Sequence, residues 1–133
     1  MKGTELVIKA LLDNRVKFVF GYTGGAIMPI FDEMEKQKVF SFIMSRHEQG
    51  ADFMAQGLSR ASVSTANPMI GVCMATSGPG AMNMVTGIYS VVVQHLQIID
   101  LALFVSLYLK INAHITVIII SMTNSSRLWK TVK

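Results

Sequence analysis

Between residues 17 and 92 the chain passes three times from a short β-prone run, through a loop of glycine or small polar residues, into a stretch with helical spacing of apolar side chains. The first unit is Lys17-Phe18-Val19-Phe20, the loop Gly21-Tyr22-Thr23-Gly24-Gly25, and a helix predicted over 26–36 with Ile27, Ile30, Phe31 and Met34 on one side. Pro29 falls in the first turn of that helix, where a missing N–H costs little. The second unit is a strand over 39–44, the loop Ser45-Arg46-His47-Glu48, and a helix over 45–59; the third is a strand over 69–75, the loop Thr76-Ser77-Gly78-Pro79-Gly80, and a helix over 80–92. A further helix over 3–14, with Leu6, Val7, Ala10 and Leu11 at helical spacing, precedes them. Residues 61–68, rich in Ser, Thr, Ala and Asn, read as a surface loop. Such alternation predicts an α/β domain of three layers, α/β/α, with a mostly parallel sheet whose strands are covered on both faces and therefore read as continuous apolar runs.

A chain of 133 residues holds one domain of ordinary size, and 51% apolar against 15% charged residues makes a buried core the expectation rather than disorder. The net charge of +4 is modest and uneven: four Lys/Arg stand against Asp100 alone after residue 87. No basic stripe with interleaved aromatics exists, so no nucleic-acid partner is expected. The single cysteine, Cys73, lies in an apolar strand and reads as a buried, reduced thiol of a cytoplasmic protein. Glu5 and Asp13 interrupt the amphipathic N-terminus, which lacks the apolar core of a secretory signal.

Beyond about residue 93 the pattern changes. Ile, Leu and Val come in long blocks, and no glycine or proline follows Gly87. The blocks at 101–109 and 115–120 are each shorter than the roughly 20 apolar residues a bilayer demands. Joining them would bury Lys110 at about 2.5–3.5 kcal/mol on insertion scales, so a membrane span is disfavoured. The remaining readings are a pair of buried strands, a strand and a helix, or a tail unrelated to the preceding domain.

In a parallel sheet, ligands bind outside the carboxyl ends of the strands, and there the three strand-to-helix loops gather. Spacing excludes several chemistries. Asn83 stands where a dinucleotide-binding G-x-G-x-x-G needs its third glycine, no P-loop occurs, and Ala51 replaces the second histidine of an H-E-x-x-H zinc motif. No metal site can be assembled. Glu48, at a helix start, would favour the helix dipole in any protein. It also shares its face with Ala51, Asp52 and Ala55 at i+3, i+4 and i+7, small side chains that leave room for a second helix or a flat ligand.

The segments VFGYTGGAIMPIFDEM, RHEQGADFMAQGLSRAS and GVCMATSGPGAMNMVTGI, in this order, closely resemble the N-terminal pyrimidine-binding domain of the thiamine-diphosphate-dependent acetolactate synthase large subunit. The resemblance covers residues 1 to about 90 and rests most specifically on GAIMP, RHEQGA and TSGPGA. It implies that Glu48 hydrogen-bonds to N1′ of the cofactor's aminopyrimidine and favours its imino tautomer, whose exocyclic nitrogen takes the thiazolium C2 proton. It further implies cofactor contacts from Tyr22, Gly24, Thr76, Pro79 and Asn83, and subunit packing through Ala51 and Ala55. The implied reaction is decarboxylation of pyruvate and ligation of the two-carbon unit to a second 2-oxo acid, at the start of branched-chain amino-acid synthesis.

The departures from the family bear on the same expectations. Thr23 and Met82 stand in the cofactor loops where the family usually has proline and threonine, and 62–70 is longer than usual. The strand and Thr-Gly-Gln loop expected after Gly87 do not follow, and no Gly-Asp-Gly occurs for the diphosphate's magnesium. The expectation is therefore a truncated synthase chain: a partial pyrimidine domain over 1–92, incomplete at its C-terminus, and a divergent apolar tail over 93–133. It would hold only the pyrimidine half of thiamine diphosphate, since the family's Mg and FAD sites belong to other domains, and would not catalyse alone. Its expected partners are a second copy or a larger catalytic subunit across the pyrimidine-domain face, with a regulatory subunit besides. The compartment is cytoplasmic, or a plastid in a eukaryote, although no transit peptide is seen. The competing readings are a non-catalytic binding module that pairs with a larger subunit, and a small membrane-associated protein using 96–122.

Overall fold

The computed structural model describes residues 2–38, 40–93, 97–100 and 117–122. In chain order the elements are α1 (Gly3–Asp13), β1 (Phe18–Gly21), a 3-10 turn (Gly25–Ile27), α2 (Met28–Gln37), β2 (Ser41–Met44), α3 (Glu48–Ser62), β3 (Gly71–Ala75), α4 (Pro79–Asn83), α5 (Val85–Val93), β4 (Gln97–Asp100) and β5 (Val117–Met122). The sheet order is β2-β1-β3-β5-β4. β1 runs parallel to both β2 and β3, so the three strands of the repeated units form the parallel part foreseen from the alternation. β5 joins β3 antiparallel, and β4 joins β5 antiparallel.

The strands' period of two sends alternate side chains to opposite faces, and helices cover both. Val19, Val72 and Met74 face one way and pack with Ile8 and Leu11 of α1 and with Ile27, Ile30 and Met34 around α2. Phe20, Cys73 and Ala75 face the other way and pack with Ala51 and Ala55 of α3 and with Met84. These are the three layers of the α/β reading. Pro29 does lie in the first turn of α2, and Phe31 meets Phe42 edge-on with ring centroids 4.7 Å apart.

Some boundaries and faces differ from the sequence reading. α1 buries Ile8 and Leu11, whereas Leu6, expected on that face, is 55% exposed. α3 begins at Glu48 rather than 45, because His47 has extended backbone and its Nδ1 accepts from the Gln49 N–H at 3.2 Å. The helix expected over 80–92 is broken at Met84, whose N–H turns back to Ala81 O at 3.1 Å and whose fully buried side chain pins the break to the core. In the apolar tail, β5 overlaps the block at 115–120, while 101–109 and Val39 lie outside the described residues. Among the described residues no helix is long and apolar enough to cross a membrane.

The expected role of Ala51 and Ala55 in subunit packing needs correction. Both are fully buried within this chain, beneath the sheet. α3 comes so close to β3 that a Cβ on Gly71 would stand 1.9 Å from Ala55 O. The Gly71 N–H donates to Ser59 Oγ at 2.8 Å across the same contact. The small side chains of this face bring a helix onto its own sheet.

Candidate functional site

Because β2, β1 and β3 are parallel neighbours, their carboxyl ends and the loops that follow share one edge of the sheet. Backbone and side-chain bonds lace those loops together. The Ser45 N–H donates to Gly21 O at 2.8 Å, and Ser45 Oγ reaches Gly21 O at 3.2 Å and His47 O at 2.8 Å. On the other side of β1, the Tyr22 N–H donates to Met74 O at 3.3 Å. Gly24 lies against Thr76, where an added Cβ would stand 2.5 Å from the threonine Cβ.

Glu48 opens α3 and is only 8% exposed, although it is ionisable. Asn83 Nδ2, from the end of α4, donates to Glu48 Oε2 at 2.9 Å. The other carboxylate oxygen, Oε1, lies over Gly80, where a Cβ would come within 3.2 Å of it and 3.0 Å of Thr76 Cγ2. Gly78, at φ +68, makes the turn that carries the chain from β3 into α4. Glu48, Thr76, Gly80 and Asn83 are thus gathered at one point, with Gly24 behind Thr76. Tyr22 and Pro79 lie on the same loops but are exposed, and neither side chain makes a hydrogen bond to that group. His47 caps its helix through Nδ1, so that nitrogen acts as a backbone acceptor. Among the described residues no group of three or more His, Cys, Asp or Glu is placed to hold a metal ion.

Sequence reasoning put Asp52 on the face of Glu48 and gave it no role, and it passed over Gln56 and Gly87. The structure makes a buried polar cluster of them. Asp52 is fully buried and Gln56 is 2% exposed. Gln56 Nε2 donates to Asp52 Oδ1 at 3.2 Å and to Gly87 O of α5 at 2.9 Å. Asp52 Oδ2 has no hydrogen-bond partner among the described residues. Burial pushes the Asp52 carboxyl above its ordinary range, against hydrogen bonds from Gln56 and the Cys73 thiol that pull it down. Burial, with the Asp52 carboxylate beside it, pushes the Cys73 thiol well up. The available signal was the spacing of polar residues at 48, 52 and 56, an i, i+4, i+8 stripe beside the small residues Ala51, Ala55 and Ser59 on one face of the helix.

A family model described as thiamine pyrophosphate enzyme, N-terminal TPP binding domain, matches residues 1–110. A probable acetolactate synthase large subunit of Methanocaldococcus jannaschii is 49% identical over 88 residues, which are 66% of this chain and 14% of that protein. The acetolactate synthase isozyme 3 large subunit of Escherichia coli K12 is 44% identical over 88 residues, with the same 66% and 14% coverage. A mitochondrial acetolactate synthase catalytic subunit of Aspergillus candidus is 50% identical over 84 residues, 63% of this chain and 11% of the relative. The chain therefore spans about a seventh of the length of the first two relatives.

Proposed function

Because the chain belongs to the thiamine pyrophosphate enzyme family, as its N-terminal TPP binding domain, we propose that it supplies the pyrimidine side of the cofactor site of an acetolactate synthase catalytic subunit. The observation that carries this reading is the buried Glu48 carboxylate, held on one oxygen by Asn83 while the other lies over a glycine at the shared edge of three parallel strands.

The residues present fit a flat, nitrogen-bearing ring. Gly24 and Gly80 have no Cβ where one would press on Thr76 or Glu48, so the wall between these loops stays low. The Asn83 bond fixes the carboxylate's rotamer, and Glu48 then has an oxygen with which to hold a proton shared with a ring nitrogen. Thr76 and Gly24 shape the crevice beside it, while Tyr22 and Pro79 would contact the ring from its exposed rim. When bound, thiamine diphosphate supplies the carbanion chemistry by which a 2-oxo acid is decarboxylated and joined to a second one. This chain's own contribution is to orient the pyrimidine and keep one proton at a fixed place.

The rest of the proposal follows the relatives' names, large and catalytic subunit of acetolactate synthase. Residues 1–92 act as the pyrimidine domain and 93–133 as a divergent tail that lends β4 and β5 to the sheet. The magnesium, diphosphate and flavin sites belong to length that this chain does not span. A second copy or a larger catalytic subunit completes the site across the pyrimidine-domain face, in the cytoplasm and with a regulatory subunit as further partner.

Thiamine diphosphate titrated into the isotopically labelled chain tests the reading by NMR, which detects even millimolar binding. Shifts centred on Gly24, Thr76, Gly80 and Asn83, and lost in Glu48→Gln, are expected. Shifts elsewhere, or none at saturating cofactor, would overturn it.

A further inference from the structure

Glu48 is held by a residue that has little to hold it in turn. Asn83 ends α4, a helix of five residues whose short length gives it few hydrogen bonds of its own, and Met84 breaks the backbone immediately after it. The buried Met84 keeps this corner on the core, but an apolar contact sets neither the rotation nor the axial register of a helix. Register is set one turn later. There Gln56 Nε2 donates to Gly87 O at 2.9 Å, joining α3 to α5 across 31 residues of sequence, and Asp52 Oδ1 accepts from the same nitrogen at 3.2 Å. Arg60 Nη2 fixes the other end of the amide by donating to Gln56 Oε1 at 3.0 Å, so the orientation of Gln56 is determined on every side.

Gly87 leaves no slack in this contact. A Cβ there would stand 1.7 Å from Asp52 Oδ2 and 2.4 Å from Asp52 Cγ, so the backbone of α5 rests directly on the Asp52 carboxyl group. Glu48, Asp52 and Gln56 succeed one another at i, i+4 and i+8 and are 8%, 0% and 2% exposed. Along one line of α3, then, Gln56 ties the first turn of α5, Asp52 sets its distance, and Glu48 receives the Asn83 side chain. A buried aspartate with an unpartnered oxygen costs stability, and the helix would pack more favourably with an apolar residue there. Its cost is intelligible if it serves the geometry next to it.

We propose that Asp52 and Gln56 are positioning residues, which clamp α5 onto α3 through Gly87 and thereby hold Asn83 at the Glu48 carboxylate. The functional meaning of the clamp rests on the reading of Glu48 as the pyrimidine contact; the clamp itself does not.

The test follows the side-chain amide resonances of Asn83 in the full 133-residue chain without cofactor, with Glu48→Ala marking where they fall when the bond is lost. Gln56→Leu, similar in bulk but without a donor, is expected to move them at least halfway to those values, and Asp52→Ala to move them in the same direction. Asp52→Asn keeps both the bulk and an oxygen for Gln56 and should leave them near the wild-type position, whereas Asp52→Leu, which keeps the bulk without the oxygen, should move them as Asp52→Ala does. Wild-type resonances in folded Gln56→Leu and Asp52→Ala would overturn the proposal. Should Gln56→Leu fail to fold, the comparison of Asp52→Leu with Asp52→Asn decides by itself. Thiamine diphosphate is then added to the wild-type chain. No response at Asn83, with the variants still releasing it, leaves the clamp standing and removes the cofactor reading. A wild-type response with Asn83 unmoved in every variant removes the clamp and leaves the cofactor reading.

Discussion

The Asn83 side-chain amide donates to Glu48 Oε2 at 2.9 Å, joining the end of α4 to the start of α3 across 35 residues of sequence. Glu48 is a buried carboxylate, so removing this donor takes the protein partner from one of its oxygens. Truncating one partner of a buried hydrogen bond costs about 1–3 kcal/mol. Asn83→Ala should fall toward the lower end, because Asn83 is itself exposed and water can take its place. Urea denaturation checks it: the midpoint should drop with an unchanged slope, and an unmoved midpoint would mean that the bond contributes nothing to the fold.

Gly24 and Thr76 meet where the first and third loops pass. Gly24 has φ 177, an extended backbone open to any residue, so its constraint is one of space. An added Cβ would stand 2.5 Å from both Thr76 Cβ and Cγ2. Gly24→Ala should therefore destabilise by about 1–3 kcal/mol, the usual cost of overpacking. Thr76→Gly in the same chain should recover most of that loss, whereas Thr76→Ser, which keeps the offending Cβ, should not. Melting temperatures of the three variants distinguish these outcomes.

The units of strand, loop and helix were legible because each carries a change of period and a glycine-bearing or polar loop, and the parallel pairing of β1 with β2 and β3 follows from that alternation. From spacing, the convergence of Glu48 with Thr76, Gly80 and Asn83 could be anticipated only as loops at one sheet edge, since hydrogen bonds between residues 35 apart leave no trace in local spacing; it was the family resemblance that set Glu48, Thr76 and Asn83 around one ligand. The Ala51 and Ala55 face was misassigned for a related reason. Small residues at helical spacing announce a close approach without saying to what, and here the partner is Gly71 of the chain's own sheet. Asp52 and Gln56 looked like ordinary polar positions because their burial depends on α5, whose register is a tertiary fact. The end of α3 was misjudged by the three residues to Ser62, whose Oγ donates to Ser59 O at 3.1 Å and also accepts from the Met69 N–H at 2.8 Å.

Cys73 is fully buried in β3, and both burial and the neighbouring Asp52 disfavour its thiolate. Since the thiolate is the nucleophile, the native thiol should be inert. Iodoacetamide at pH 8 should modify the chain only as fast as it opens, and a few molar urea should restore the reactivity of a free thiol. Rapid stoichiometric labelling of the folded chain would show that β3 is accessible. An Asp52→Asn variant should remain unreactive, because burial, the larger cause, is unchanged.

Asp52 gives the chain an unusual pH response. Its carboxyl is raised above the ordinary value of 3.8, chiefly by burial and despite the Gln56 and Cys73 hydrogen bonds. The folded chain therefore takes up this proton at a pH where the unfolded chain has already released it. Over that interval the native state binds more protons, and stability falls as pH rises. The contribution of Asp52 is most favourable below 3.8 and is lost as pH climbs through the raised value, the reverse of a carboxylate held in an ion pair. Arg60 Nη2 donates to Gln56 Oε1 rather than to the Asp52 carboxylate, and Cys73 titrates far above this interval. Asp52→Asn removes the titration and keeps an oxygen for Gln56. Its melting temperature relative to the wild-type chain should be higher at pH 7 and should converge on, or fall below, the wild-type value near pH 4. A difference that stays constant across that range would show that some group other than Asp52 governs the response.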